Sequence, residues 1–221
     1  MALTLEQILQ RVGGYVDQDT TTPTGTDLTS RTNYVNRAYN EWAASYDWEQ
    51  LTQATTLTAD GTSNVSFALP STYRKPMSSI NYYSAKVPQQ YAIIPRNERF
   101  DVSRWSNYNN NKVAWIDGDP SNGHSITTYK GFASGVSLVM DIQVYPTSLI
   151  SLTDQPVIDD PEYLVDRAIA YVLEARSDSR FPTMLANADR KLQTMLERQN
   201  AGNKGMKNTI PMDVSFAIGY D

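Results

Sequence analysis

The chain contains no cysteine and a single histidine. Without cysteine there is no disulfide, thiolate metal site or thiol nucleophile, so packing has to hold the fold, and a reducing cytoplasm suits it. With His124 as the one histidine, a multi-histidine metal centre within one chain is excluded, and any histidine-based triad has to use that residue. No stretch approaches the ~20 apolar residues of a membrane span. The opening MALTLEQILQ also lacks the basic flank and continuous apolar run of a signal peptide. No membrane partner is expected. Positive charge is in short supply too: the formal net charge is −5, whereas a protein that grips nucleic acid by phosphate neutralisation needs a basic face.

What is present is the composition of an ordinary soluble protein, long enough at 221 residues for a real core. The most legible stretch is Thr29 to Trp48, TSRTNYVNRAYNEWAASYDW. At about 100° per residue, Val35, Ala38, Tyr39, Trp42 and Tyr46 share one stripe, and Asn33, Asn36, Arg37, Asn40, Glu41 and Asp47 lie opposite. Thr29 or Ser30 is the expected N-cap. Leu5, Ile8, Leu9, Val12 and Val16 repeat the same offsets in a preceding helix, with Thr4 and Gln7 at capping-box spacing. Two helices with matching stripes predict a hairpin across the exposed loop Asp17 to Asp27.

After Trp48 the period becomes alternating. Thr52 to Thr58, Asp60-Gly61 and Asn64 to Leu69 predict a hairpin closed by a type I′ turn. Met77 to Ser84, Gln90 to Ile94, Lys112 to Ile116, Ser125 to Tyr129 and Val136 to Tyr145 supply further strands, Asn97 to Trp105 a short helix, and Trp105 to Asn111 a loop tip. Helical periodicity returns at Asp160-Pro161-Glu162, where Asp caps, Pro suits the first position and Glu complements the dipole. Leu164, Val165, Ala168, Tyr171, Val172 and Ala175 form that helix's main stripe, and Ile169 and Leu173 extend it past half the circumference. A break near Phe181 precedes a fourth helix carrying Met184, Leu185, Ala188, Leu192, Met195 and Leu196, expected to end at Asn200 to Gly205. Met206 to Asp221 alternates with period two, which suits an extended arm seeking a partner surface.

The expected fold class is therefore α+β: an antiparallel four-helix bundle with an inserted β domain and an extended C-terminal tail. Its parts are a helix pair over 1–50, a β-rich domain over 51–147, a second helix pair over 148–200 and an arm over 201–221. The bundle core is expected from Leu5, Ile8, Leu9, Val12, Val35, Tyr39, Trp42, Tyr46, Leu164, Ala168, Tyr171, Val172, Leu185, Leu192 and Leu196.

Signals for chemistry are few. Gly202 to Lys207 matches a phosphate loop in composition only. His124, in SNGHS, is expected to be an exposed turn residue. Asp117 with Asp119, and Asp159 with Asp160, could in principle cleave glycosides or hold a divalent cation, but turn and helix-cap roles explain both pairs. No catalytic residue, metal site or cofactor is expected. Tyr82, Tyr83, Tyr91, Trp105, Tyr108 and Trp115 could form a stacking surface, which keeps a carbohydrate-binding virion or cell-surface module as the alternative function, although aromatics at period two more often fill a sheet core.

Several segments in order carry a family likeness: Tyr46-Asp47-Trp48 after the paired helices, Leu69-Pro70-Ser71-Thr72-Tyr73-Arg74-Lys75, Trp115-Ile116, Val144-Tyr145-Pro146, Asp154-Gln155-Pro156, and a helix pair from Pro161 containing Ala188-Asp189-Arg190-Lys191-Leu192. By their order and spacing, over nearly its whole length, the chain resembles the head-to-tail adaptors of tailed phages, the head-completion or tail-tube connector family. The resemblance implies a non-enzymatic structural virion protein, assembled in the host cytoplasm and placed at the head-tail interface. It implies a homo-oligomeric ring, typically twelvefold, that docks on the portal and joins a tail, nozzle or stopper protein. Genome DNA would pass through its channel without sequence-specific binding, during packaging and ejection. A C-terminal arm carrying Lys204, Lys207, Ile210, Met212, Val214, Phe216, Ile218 and Tyr220 would reach the portal. An acidic balance fits such a channel, because a lumen that gripped phosphate would hinder passage.

Overall fold

The computed structural model describes residues 2–58, 64–84, 87–101, 112–132 and 135–207. The chain divides into two compact units, Met1–Tyr46 with Ser148–Asp221, and Asp47–Thr147.

In the helical unit, α1 (Leu5–Val16) opens on a reciprocal cap: Gln7 N–H donates to Thr4 Oγ1 (3.3 Å) and Thr4 N–H to Gln7 Oε1 (3.0 Å), which satisfies two otherwise orphaned amides. Its stripe of Leu5, Ile8, Leu9, Val12 and Val16 is buried. α2 (Gly25–Ser45) starts earlier than the cap expected at Thr29 or Ser30; Thr24 precedes it, and Thr29 donates its hydroxyl to Gly25 O (3.3 Å) inside the first turns. Arg31 lies on the buried stripe of Val35, Ala38, Tyr39 and Trp42, with its guanidinium paired to Asp17 and Asp27. A Cβ on Gly13 would lie 2.6 Å from Asp19 O and 2.9 Å from Arg31 Nη1, so glycine is what lets this loop and guanidinium close onto α1.

Asp160 Oδ1 accepts from Glu162 N–H (3.2 Å) where α3 (Glu162–Ala175) begins. Nine residues of α3, from Tyr163 to Leu173, are buried. α4 (Phe181–Lys207) follows and runs through Asn200–Gly205, where the sequence placed its end. A helical glycine costs about 1 kcal/mol relative to alanine, which weakens that turn without stopping it.

α1, α2 and α4 all pack on α3, whereas α1 and α2 touch each other only slightly. This overturns the expected antiparallel four-helix bundle with an inserted β domain. Of the four helices of the described residues three are arranged around the fourth, α3, and α1 and α2 are not a hairpin zipped along matching stripes. Periodicity shows which face of a helix is apolar but not which neighbour covers it, and α3 is apolar on enough sides to take three. Within the expected core, Leu5, Ile8, Leu9, Val12, Val35, Tyr39, Trp42, Leu164, Ala168, Tyr171 and Val172 are buried. Tyr46, Leu185, Leu192 and Leu196 are half-buried, and on α4 the buried positions go to Met184, Ala188 and Met195.

The second unit holds β1 (Thr52–Thr58), β2 (Asn64–Ala68), β3 (Tyr73–Pro76), β4 (Ile80–Ser84), β5 (Val87–Ile93), β6 (Val113–Asp119), β7 (Gly123–Phe132) and β8 (Ser137–Val144). They form one sheet in the order β1-β8-β4-β5-β6-β7-β2, with β3 also on β8. The β5–β6 pair is parallel and the others antiparallel. β1 and β2, at the two ends of this order, approach each other, so the mixed sheet nearly closes into a barrel.

The hairpin expected over Thr52 to Leu69 does not form. β1 pairs with β8 from Thr52↔Gln143 to Thr58↔Ser137, and β2 pairs with β7; Asp60-Gly61 lies outside the described residues. Alternation fixes the buried face of a strand, not its partner. β8, with Leu138, Met140 and Ile142 buried and Ser137, Val139 and Asp141 exposed, offers β1 a full-length match. Leu57, Phe67, Tyr73, Ile80, Ile126 and Met140 meet in the barrel core. The fully buried Gln143 is satisfied at both ends, accepting from Thr52 Oγ1 (2.9 Å) and donating to Trp48 O (3.0 Å). The short helix expected at Asn97 to Trp105 is a 3₁₀ turn at Arg96–Glu98, and residues 102–111, with the expected loop tip, lie outside the described ones.

Candidate functional site

Three of the four carboxylates that sequence singled out are engaged by neighbouring groups. Asp117, on β6, accepts through Oδ1 from Arg99 Nη1 (2.8 Å) and through Oδ2 from Trp115 Nε1 (2.8 Å) and Thr127 Oγ1 (3.2 Å), and Arg96 Nε is ion-paired to Oδ1 (3.0 Å). Both oxygens are engaged. Asp119 accepts from the Asn122 side chain (2.8 Å) and from the N–H groups of Asn122 (2.9 Å) and Ser121 (2.8 Å), and these bonds hold its carboxyl below the usual range. Asp160 precedes Pro161, the N-cap of α3, and accepts from Glu162 N–H, and Asp159 is exposed. Among the described residues no group of three His, Asp or Glu side chains is placed to hold a metal ion, and no helix is long and apolar enough to cross a membrane.

His124 departs from its expected exposure. It is the second residue of β7, opposite Gly118 of β6. A Cβ on Gly118, which has φ +97°, would lie 2.1 Å from Gly123 O, so this tight hairpin end requires glycine. The His124 ring is half-buried, meets the Tyr73 ring edge-on with centroids 5.1 Å apart, and has an enclosed Nδ1 without a hydrogen-bond partner. Both residues line a pocket of about 530 Å³ that includes Ser71, Arg74, Asn122 and Tyr145. Burial pushes the Tyr73 phenol up to about 12.

The aromatics proposed for sugar stacking do not assemble into a surface among the described residues. Tyr91 is in the barrel core, and Trp115 is half-buried with its indole N–H committed to Asp117. Trp105 and Tyr108, and the side chains of Tyr82 and Tyr83, lie outside what is described.

A different surface stands out in the helical unit. In the segment before α3, Ile150 is 82% exposed and Val157 50% exposed, yet the backbone carrying them is fixed. Asn36 donates Nδ2–H to Leu149 O (2.9 Å) and accepts from Leu149 N–H (2.8 Å). Asp154 Oδ2 accepts from the N–H groups of Ile150 and Ser151 (2.8 Å each), which holds its carboxyl below the usual range. Val157 N–H donates to Tyr39 Oη (2.9 Å), and Leu5 N–H donates to Asp154 O (2.8 Å). Two large apolar side chains are thus displayed to solvent on a well-bonded segment.

No family model matches the chain, and no curated protein matches it.

Of the residues expected in a portal-binding arm, Lys204 and Lys207 fall in the last turns of α4, while Ile210, Met212, Val214, Phe216, Ile218 and Tyr220 lie outside the described residues. Sequence reasoning missed Ile150 and Val157 because the stretch from Pro146 to Asp159 has no periodic apolar set. Their one local signal was apolar residues among turn formers. Tyr73 was noted only within a family-like segment, and nothing local tied it to His124.

Proposed function

We propose that this protein is a structural, non-enzymatic component of a tailed-phage virion: a head-to-tail adaptor that docks on the portal as a homo-oligomeric ring, extends the DNA channel and provides the platform for a tail, nozzle or stopper protein. The observation that carries this is the outward display of Ile150 and Val157 on a hydrogen-bonded segment of the helical unit. Apolar groups held on a fixed backbone can be buried against a neighbour without the cost of ordering the segment first. The ordered set of family-like segments supports the same assignment. Both Asp117 oxygens are engaged by neighbouring side chains, which ties that acid to the fold.

Ile150→Glu tests the assignment. The variant is expected to fold, because the side chain it replaces is exposed, and to lose association with portal-containing particles in co-sedimentation. Recovery of the folded variant with particles at wild-type level would remove the surface on which the proposal rests.

A further inference from the structure

The pocket beside His124 has no part in the contacts argued above, and the charged groups around it are already engaged. Arg74, in its lining, interacts within the protein, and the adjacent Asp119 turns its oxygens back onto Ser121 and Asn122. What the pocket holds unused is uncharged.

Tyr73 is 4% exposed, and burial alone raises its phenol, whose hydroxyl has no hydrogen-bond partner among the described residues. That hydroxyl is not one of the sealed, unpartnered atoms, so the space it meets is the pocket it lines. His124 has its Nδ1 enclosed without a partner, whereas Nε2, also unpartnered among the described residues, is not sealed. Ser71 and Ser121 add two further hydroxyls to the lining. A hydroxyl both donates and accepts, and a neutral imidazole nitrogen does one or the other according to its tautomer. The complement of such a set is a molecule whose own groups do both, as alcohols do; a carboxylate only accepts and an ammonium only donates. Tyr145, 52% exposed, gives the same pocket an aromatic wall, on which apolar C–H surface can rest. At about 530 Å³ the pocket has the size of a small-molecule site.

We infer that this pocket binds one neutral pyranose ring, whose hydroxyls bond to the Tyr73 hydroxyl and His124 Nε2 while its C–H face rests on Tyr145. The ring comes either from a free sugar or from the end of a glycan. The site shares no residue with the aromatic set that the sequence offered for sugar stacking. It also stands apart from the adaptor proposal, which uses none of these residues, so the failure of one leaves the other intact.

Because His124 is the chain's one histidine, its ring C–H resonances in the proton NMR spectrum report on this pocket alone. The full chain is titrated at fixed pH and ionic strength with the methyl glycosides of glucose, galactose and N-acetylglucosamine and with lactose, glycerol and sodium acetate serving as comparison ligands. Saturable displacement by at least one of the sugars at millimolar concentration is expected. Tighter binding of lactose than of methyl galactoside names a glycan end as the source, and equal or weaker binding a free sugar. Tyr73→Phe and Tyr145→Ala, each checked for an unchanged circular-dichroism spectrum, should each weaken binding about tenfold, the loss of one contact. No saturable displacement by any of the sugars, displacement that survives both substitutions, or binding of glycerol or acetate as tight as that of the sugars would each overturn the inference.

Discussion

Asp17 sits between Arg176 and Arg31, and Asp178 beneath Arg180. The hydrogen bond from Arg176, with a further one from Arg31, holds the Asp17 carboxyl low, and Arg180 brings Asp178 to about 2. Both therefore bind protons more weakly in the folded chain than in the unfolded one. Their stabilisation is full above the ordinary carboxylate value near ~4 and is lost as pH falls through that value toward about 2. Tyr73 behaves in the opposite sense. Raised to about 12 by burial, it stays protonated in the fold while an unfolded phenol ionises near ~10, so its contribution is full below about 10 and lost as pH rises from there to about 12. Urea midpoints should accordingly fall below about pH 4 and again above about pH 10, and midpoints that stay level over both windows would contradict these placements. At this scale the sequence was legible where partners are local, as at Thr4 with Gln7 and Asp160 with Glu162. It was not legible at His124, whose burial is made by Tyr73, far back in the chain.

Among the elements, α3 is the organising one. Leu164 on α3 is fully buried, whereas Leu192 on α4 is half-buried, although in a regular bundle both would be core positions. Leu164→Ala is expected to cost about 2–5 kcal/mol, the usual range for a cavity at a closed site, and Leu192→Ala less than about 1.5 kcal/mol, since part of its surface already meets water. Equal losses in urea unfolding would speak for the regular bundle instead. The periodicities showed where helices and most strands lie, because 3.6 and 2 are properties of one segment. Pairing is a property of two. The β1–β8 ladder joins segments separated by nearly the whole unit, the parallel β5–β6 contact has no turn to announce it, and the short β3, ending at Pro76, was absorbed into a family-like motif. The place of Arg31 on the buried face of α2 was missed for a related reason: it reads as polar, and its burial depends on Asp17 and Asp27 supplying the counter-charge.

For the molecule as a whole, a ring on a portal asks one chain for surface that is solvent-exposed in isolation and covered in assembly. In the proposed role, Ile150 and Val157, exposed in the helical unit, are that surface. They escaped a reading built on repeating patterns, because an exposed side chain on a non-periodic segment acquires meaning only when the surrounding hydrogen bonds are seen to fix it. The order of helices, strands and helices was legible, and the manner in which the helices share one central member was not. The net charge of −5 is compatible with DNA moving past the protein without being gripped. The most direct measurement is electron microscopy of the purified full-length protein with and without portal rings. The proposed role predicts an additional ring of density coaxial with the portal when the two are mixed. Portal particles that stay unchanged at saturating protein concentration would contradict it.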